Sequence, residues 1–169
     1  MVELSNTMEE NSQYFYSREL YPRELANIIP VIYLLASENS NVYIVSPWIN
    51  PSLEIILPFG MLEEKFPSRK TKLIDFLEYM RDLKKVKTIF YVRDDPNNET
   101  TIKELKERGF EVQVIKTLHA KAIISDRLVY EGSANITESG IYVNIERCTL
   151  RKIEETPESF LKKLIGENI

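Results

Sequence analysis

The chain is 169 residues long and 43% apolar, and its 22 Lys and Arg against 26 Asp and Glu give a formal net charge of -4. That length suits one compact domain whose core needs neither disulfide nor metal, and the lone cysteine, Cys148, excludes an intrachain disulfide and points to a reducing, cytoplasmic setting. The longest apolar run, Ile28 to Ala36, is interrupted by Pro30 and falls far short of the roughly 20 residues that span a bilayer, so no membrane span is expected.

Residues 1–20 read as a flexible or accessory N-terminal segment ahead of the folded part. Over residues 22–39 the stripe Leu25, Ile28, Ile29, Ile32 and Leu35 predicts an amphipathic helix, with Pro22 in its first turn and a kink or restart at Pro30. Val42 to Val45 is a buried strand that runs into Ser46-Pro47-Trp48. Pro51, Pro58, Gly60 and Pro67 make residues 50–70 a long irregular connection, the kind of segment that often carries function.

Leu73, Ile74, Leu77 and Met80 set a helix over residues 73–83, followed by a buried strand at residues 86–92. Asp94 to Asn98 is a solvated turn rather than a pair of metal carboxylates; Thr100 is the expected cap of a helix over residues 101–108, and Gly109 its stop. A strand at residues 110–115 precedes a hairpin, residues 120–124 and 128–131, turning at Asp126-Arg127. A short helix near Ile136, a strand over residues 144–151 and a last helix over residues 157–165 complete an α/β pattern, a mixed sheet with helices on both faces.

The chemistry concentrates in residues 119–146. His119 and Lys121 are two apart, so on a strand they share a face and suit an anionic ligand. Gly132-Ser133-Ala134-Asn135 leaves a strand and offers amides and side-chain donors to an oxyanion, without the longer glycine-rich loop of a triphosphate site. No cluster of His and Cys has the spacing of a zinc site, so neither metal nor cofactor is expected.

In order and spacing, His119, Lys121, Asp126, Gly132, Ser133 and Asn135 closely resemble the HKD motif of the phospholipase D superfamily. The interval from Asp126 to Gly132 is one residue shorter than the usual pattern, as a tighter hairpin would make it. The similarity extends over roughly residues 22–165 and includes the Ser46-Pro47-Trp48-Ile49 loop and Asn144-Ile145-Glu146. It implies a phospholipase D-like fold and a phosphodiesterase in which one imidazole attacks phosphorus and a second protonates the leaving oxygen.

This chain has one histidine, and the resemblance is to the short, single-motif, nuclease-like members that dimerise. A homodimer with a composite site is therefore implied, with Lys121, Ser133 and Asn135 on the phosphoryl oxygens, Glu146 on the second nitrogen of His119, and Asp126 and Thr137 as structural parts of the motif. Nucleic acid is the favoured substrate. A phospholipid phosphodiesterase, or a nucleic-acid-binding module of the same fold without turnover, are the alternatives. The acidic net charge tells against a dedicated nucleic-acid binder, although Arg69, Lys70 and Lys72, or Lys84, Lys85 and Lys87, provide local cations.

Overall fold

The computed structural model describes residues 17–58 and 62–166. In chain order the elements are β1 (Ser17–Leu20), a 3-10 turn (Pro22–Glu24), α1 (Leu25–Leu35), β2 (Asn41–Val45), β3 (Glu54–Ile56), β4 (Lys70–Lys72), α2 (Leu73–Lys84), β5 (Lys87–Arg93), α3 (Glu99–Glu107), β6 (Glu111–Ile115), β7 (Ala122–Ile124), β8 (Leu128–Gly132), a π turn (Ser139–Val143), β9 (Cys148–Lys152) and α4 (Pro157–Ile165). The main sheet has seven strands in the order β1-β9-β8-β7-β2-β5-β6. The β2-β5 and β5-β6 pairs are parallel, and every pair from β2 through β7, β8 and β9 to β1 is antiparallel.

Side-chain alternation explains why this sheet is covered on both faces. Val42 and Ile44 of β2, Phe90 and Val92 of β5, Ile123 of β7 and Tyr130 of β8 join one buried cluster, with the apolar stripes of α1 and α2 and with Leu105 of α3. The intervening residues Tyr43, Val45, Ile89, Tyr91, Ala122, Ile124 and Val129 point the other way and pack with Phe160 and Leu161 of α4. The polar atoms in these layers are paired. Tyr33 Oη lies 2.8 Å from Thr88 Oγ1, and Tyr43 donates to Glu158 at 2.9 Å. Burial, first, and the Glu158 carboxylate push the Tyr43 hydroxyl up to about 12.

Several expectations are corrected here. Residues 50–70 are not wholly irregular: Glu54–Ile56 pairs antiparallel with Lys70–Lys72 in a separate two-stranded sheet. Three-residue strands, with only Ile55 fully buried, are too short to show a period of two. α1 passes through Pro30 without restarting, because the chain enters by the separate turn Pro22–Glu24 and Pro30 lies buried inside Leu25–Leu35. Thr100 is not a cap. α3 begins at Glu99, after a 3-10 turn in which Asp95 accepts from the Asn97 amide at 2.8 Å.

The helix expected near Ile136 is the π turn Ser139–Val143, and the strand expected from residue 144 begins at Cys148. Of the proposed accessory segment 1–20, residues 1–16 lie outside the described residues, while Ser17–Leu20 form the edge strand β1 on β9. No helix among the described residues is long and apolar enough to cross a membrane.

Candidate active site

Strand register brings five separate stretches of sequence to one end of the strands of the main sheet. Val45, the last residue of β2, is opposite Tyr91 of β5 and Ala122, the first residue of β7. Ala122 is opposite Glu131 of β8, and Gly132 opposite Cys148, the first residue of β9. At or just beyond these ends lie Ser46-Pro47-Trp48, Arg93, His119-Ala120-Lys121, Ser133-Ala134-Asn135 and Glu146-Arg147. The carboxyl ends of parallel strands, where a neighbouring strand reverses direction, are a recurrent place for ligands.

His119 and Lys121 precede β7 rather than lying on it, which corrects the expectation that both sit on one strand face. His119 is exposed and Lys121 half-buried. Lys121 Nζ donates to the His119 carbonyl at 2.6 Å, so the ammonium folds back over the histidine's own backbone. Burial, and then the neighbouring Arg93 guanidinium, lower the Lys121 ammonium below the ordinary lysine range, while Glu146 opposes the shift. Two cations, Lys121 before β7 and Arg93 at the end of β5, thus act on each other beside His119, an arrangement that an anion between them would relieve.

Ser133 donates to Glu146 and accepts from the Arg147 amide at 3.0 Å, while its own amide bonds the Arg147 carbonyl at 2.9 Å. Glu146 also accepts from Asn144 at 3.2 Å. Within one chain the Glu146 carboxylate thus bonds Ser133 and Asn144, and the His119 ring contacts Arg93 instead. Gly132 donates its amide to the Lys121 carbonyl at 3.2 Å. A Cβ there would lie 2.6 Å from the Arg147 carbonyl oxygen, so this glycine serves the approach of β8 to β9.

Asn135 and the loop after β2 hold each other. Buried Ser46 sends its Oγ to the Trp48 carbonyl at 2.7 Å, lies 3.4 Å from Asn135 Oδ1, and accepts from the Ile136 amide at 3.2 Å. Asn50 donates to both Glu138 oxygens at 2.8 and 2.7 Å, and its amide bonds the Ile136 carbonyl at 2.8 Å. Thr137 accepts from the Gly140 amide at 3.2 Å and so caps the π turn.

Asp126 sits at the far end of the β7-β8 hairpin, where Oδ1 accepts from the Ser37 amide at 3.0 Å. It tethers the end of α1 to the hairpin and touches none of the residues above. Cys148 is buried beside Tyr130 Oη at 3.3 Å, and burial pushes its thiol up, which makes it a poor nucleophile. Among the described residues no group of three or more His, Cys, Asp or Glu side chains is placed to hold a metal ion.

The residue that sequence reasoning passed over is Arg93, the last of β5. Its guanidinium lies 4.8 Å from the centre of the Trp48 ring. Nε and Nη2 donate to the Leu118 carbonyl at 2.9 and 2.6 Å. Nη2 is also 2.7 Å from His119 Nδ1 and 3.2 Å from Nε2. The available signal was a cation closing a buried parallel strand, at the end where ligands bind.

No protein-family model matches the chain, and no curated protein matches it significantly. Solved structures do match. Nuc from Salmonella typhimurium, a phospholipase D family member, is similar with a TM-score of 0.58 and 15% identity over 88% of this chain and 90% of its own. NucT from Helicobacter pylori is similar with a TM-score of 0.59 and 17% identity over 88% and 94%.

TrmBL2, an archaeal chromatin protein with a novel mode of DNA binding, matches 96% of this chain at a TM-score of 0.54 and 13% identity, and this chain spans 60% of it. Phosphatidylserine synthase from Haemophilus influenzae matches 89% at a TM-score of 0.60 and 10% identity, with 36% of its own length covered. The chain has the phospholipase D-like fold, a mixed α/β sheet with helices on both faces.

Proposed function

We propose that this chain is a metal-independent phosphodiesterase that hydrolyses nucleic-acid phosphodiester bonds as a homodimer, with His119 forming a phosphohistidine intermediate. The observation that carries this reading is the gathering of His119, Lys121, Ser133, Asn135 and Glu146 at one end of the strands of a phospholipase D-like sheet. The similarity to Nuc and NucT over nearly their whole lengths supports a short, single-motif member.

His119 of one subunit attacks phosphorus, the ester P–O bond breaks, and the departing oxygen takes a proton from the partner's His119. Water then attacks phosphorus, passing its proton to the partner's His119, and the P–N bond breaks to release the phosphomonoester. One imidazole cannot be nucleophile and acid in the same step, which is the reason for a second subunit. Lys121 neutralises phosphoryl charge, and Ser133 and Asn135 donate to the oxygens. The Asn135 amide nitrogen is available, since the contact to Ser46 engages only Oδ1. Histidine supplies the nucleophile and lysine the charge, so no cofactor enters either step.

The similarity to TrmBL2 favours one second reading, a nucleic-acid-binding module of the same fold without turnover. Cleavage of single-stranded DNA, duplex DNA, RNA and bis-p-nitrophenyl phosphate, each with EDTA present, decides between them. The expected result is cleavage of at least one nucleic acid, with turnover per chain falling when dilution separates the subunits. Binding without cleavage overturns the enzyme reading in favour of the module. Headgroup release from phospholipid vesicles without nucleic-acid cleavage moves the substrate to lipid, and full activity from a strict monomer removes the shared site.

A further inference from the structure

The guanidinium of Arg93 touches two rings. Its carbon lies 4.8 Å from the centre of the Trp48 indole, and Nη2 is 2.7 Å from His119 Nδ1 and 3.2 Å from Nε2. The in-plane directions of the two imidazole nitrogens diverge, so a single group this close to both sits over the ring face. Approach to either nitrogen in the ring plane, the direction in which a nucleophile meets phosphorus, stays open.

The half-buried guanidinium is fixed in this place. Nε and Nη2 donate to the Leu118 carbonyl at 2.9 and 2.6 Å, and the indole packs against it, as aromatic faces do with guanidinium planes. The strand end and the Trp48 loop are tied together: the Arg93 amide bonds the Pro47 carbonyl at 3.2 Å. Buried Asn98 donates to the Pro47 and Arg93 carbonyls at 2.8 and 2.9 Å.

The charge of this group is nevertheless unanswered. Arg81, Arg108, Arg127 and Arg151 each have a carboxylate in ion-pair contact, whereas Arg93 has none among the described residues. Nη1 has no partner among them either, and the nearest cation, Lys121, feels Arg93 as a repulsion. Hydrogen bonds from arginine to phosphate oxygens are roughly twice as strong as neutral ones.

We propose that Arg93 is a phosphate-binding residue of this site: its guanidinium takes a non-bridging oxygen of the phosphodiester while His119 attacks in its own ring plane. Trp48 is the positioning residue that holds the guanidinium over the imidazole. Arg93 belongs to β5, outside the stretch of residues 119–146 that carries the other site residues, and adds a second cation beside Lys121 on the same phosphoryl group. The inference rests on the phosphodiesterase reading, and its binding readout needs no turnover.

The test is calorimetric titration of inorganic phosphate into the full chain at fixed ionic strength. It compares the wild type with Arg93→Met, Arg93→Gln, Arg93→Lys and Lys103→Met, the last removing the same charge from the exposed face of α3. Arg93→Met and Arg93→Gln should each raise the phosphate Kd by about 10- to 100-fold. For a phosphodiester substrate their KM should rise with it, and kcat should fall less. Arg93→Lys should regain part of the affinity, because the charge returns without the fork, and Lys103→Met should match the wild type. Trp48 is the chain's only tryptophan, so its emission should change as phosphate saturates the wild type, with the calorimetric midpoint. Trp48→Leu should weaken phosphate binding, and Trp48→Phe, which keeps an aromatic face, should restore it.

Arg93→Gln can keep a donor on the Leu118 carbonyl and gives the answer should Arg93→Met fail to fold. A wild type that binds no phosphate, or a folded Arg93 variant that loses no more affinity than Lys103→Met, overturns the assignment and leaves the phosphodiesterase reading standing if the wild type cleaves. Phosphate binding that depends on Arg93 in a wild type that cleaves nothing overturns the enzyme reading and leaves Arg93 assigned as the anion's ligand.

Discussion

His119→Ala is expected to lower kcat/KM for a phosphodiester substrate by at least roughly 10⁴-fold while shifting the unfolding midpoint little. The size follows from symmetry. In a homodimeric site one substitution deletes the nucleophile from one subunit and the general acid from the other, and removing a nucleophile alone can cost roughly 10⁶-fold in kcat. The proposed phosphate ligands Lys121, Ser133 and Asn135 are left intact by the substitution, so under this proposal affinity for nucleic acid should change no more than a few-fold. Stability should move within about 0.5 kcal/mol, because His119 is exposed and, among the described residues, its ring contacts only Arg93. Cleavage rates, thermal unfolding and a binding isotherm on the same preparation check all three.

The largest expected effect on folding comes from Gly140→Ala. A Cβ at Gly140 would lie 2.2 Å from the Asn135 carbonyl oxygen and 2.9 Å from its nitrogen, both backbone atoms with no flexible end to yield. In an open helix the exchange of glycine for alanine stabilises by about 0.5–1 kcal/mol. Overpacking of this kind costs about 1–3 kcal/mol or more, and the clash wins. Urea unfolding should therefore show a loss of at least about 1 kcal/mol. Because the displaced backbone is that of Asn135, cleavage should fall further than the loss of folded protein accounts for. A variant as stable and as active as the wild type would show that the π turn does not hold Asn135 in place.

The strand and helix pattern was readable wherever burial was two-sided or the apolar stripe was long. Val42 to Val45, residues 87–93 and the helices of residues 73–84 and 157–165 fall where periodicity places them, because each must fill one or both core layers. Legibility failed where an element is short or held by side chains from elsewhere. The three-residue strands β3 and β4 bury too little to leave a pattern. The π turn Ser139–Val143 depends on Thr137 and on the close packing of Gly140 against Asn135, neither of which propensity records.

At the candidate site, His119, Lys121, Ser133, Asn135 and Glu146 stood out because polar residues interrupt apolar strands at set intervals. Arg93 did not, and Ser46 entered only with its loop through the family resemblance. They come from strands far away in sequence, and only the parallel pairing of β2 with β5, and the antiparallel pairing of β2 with β7, brings them beside His119 and Asn135. Glu146 was legible only through the resemblance, which assigns it to the second nitrogen of His119; within one chain its carboxylate accepts from the hydroxyl of Ser133 and the amide of Asn144.

The phosphohistidine intermediate is tested most directly by intact-mass and peptide mass spectrometry of the protein quenched under alkaline conditions during turnover of a cleavable phosphodiester, with EDTA present. An acid-labile phosphoryl or nucleotidyl adduct on His119, absent from His119→Ala, is expected. Sustained turnover with no adduct on His119 at any quench time, together with activity retained by His119→Ala, would contradict it.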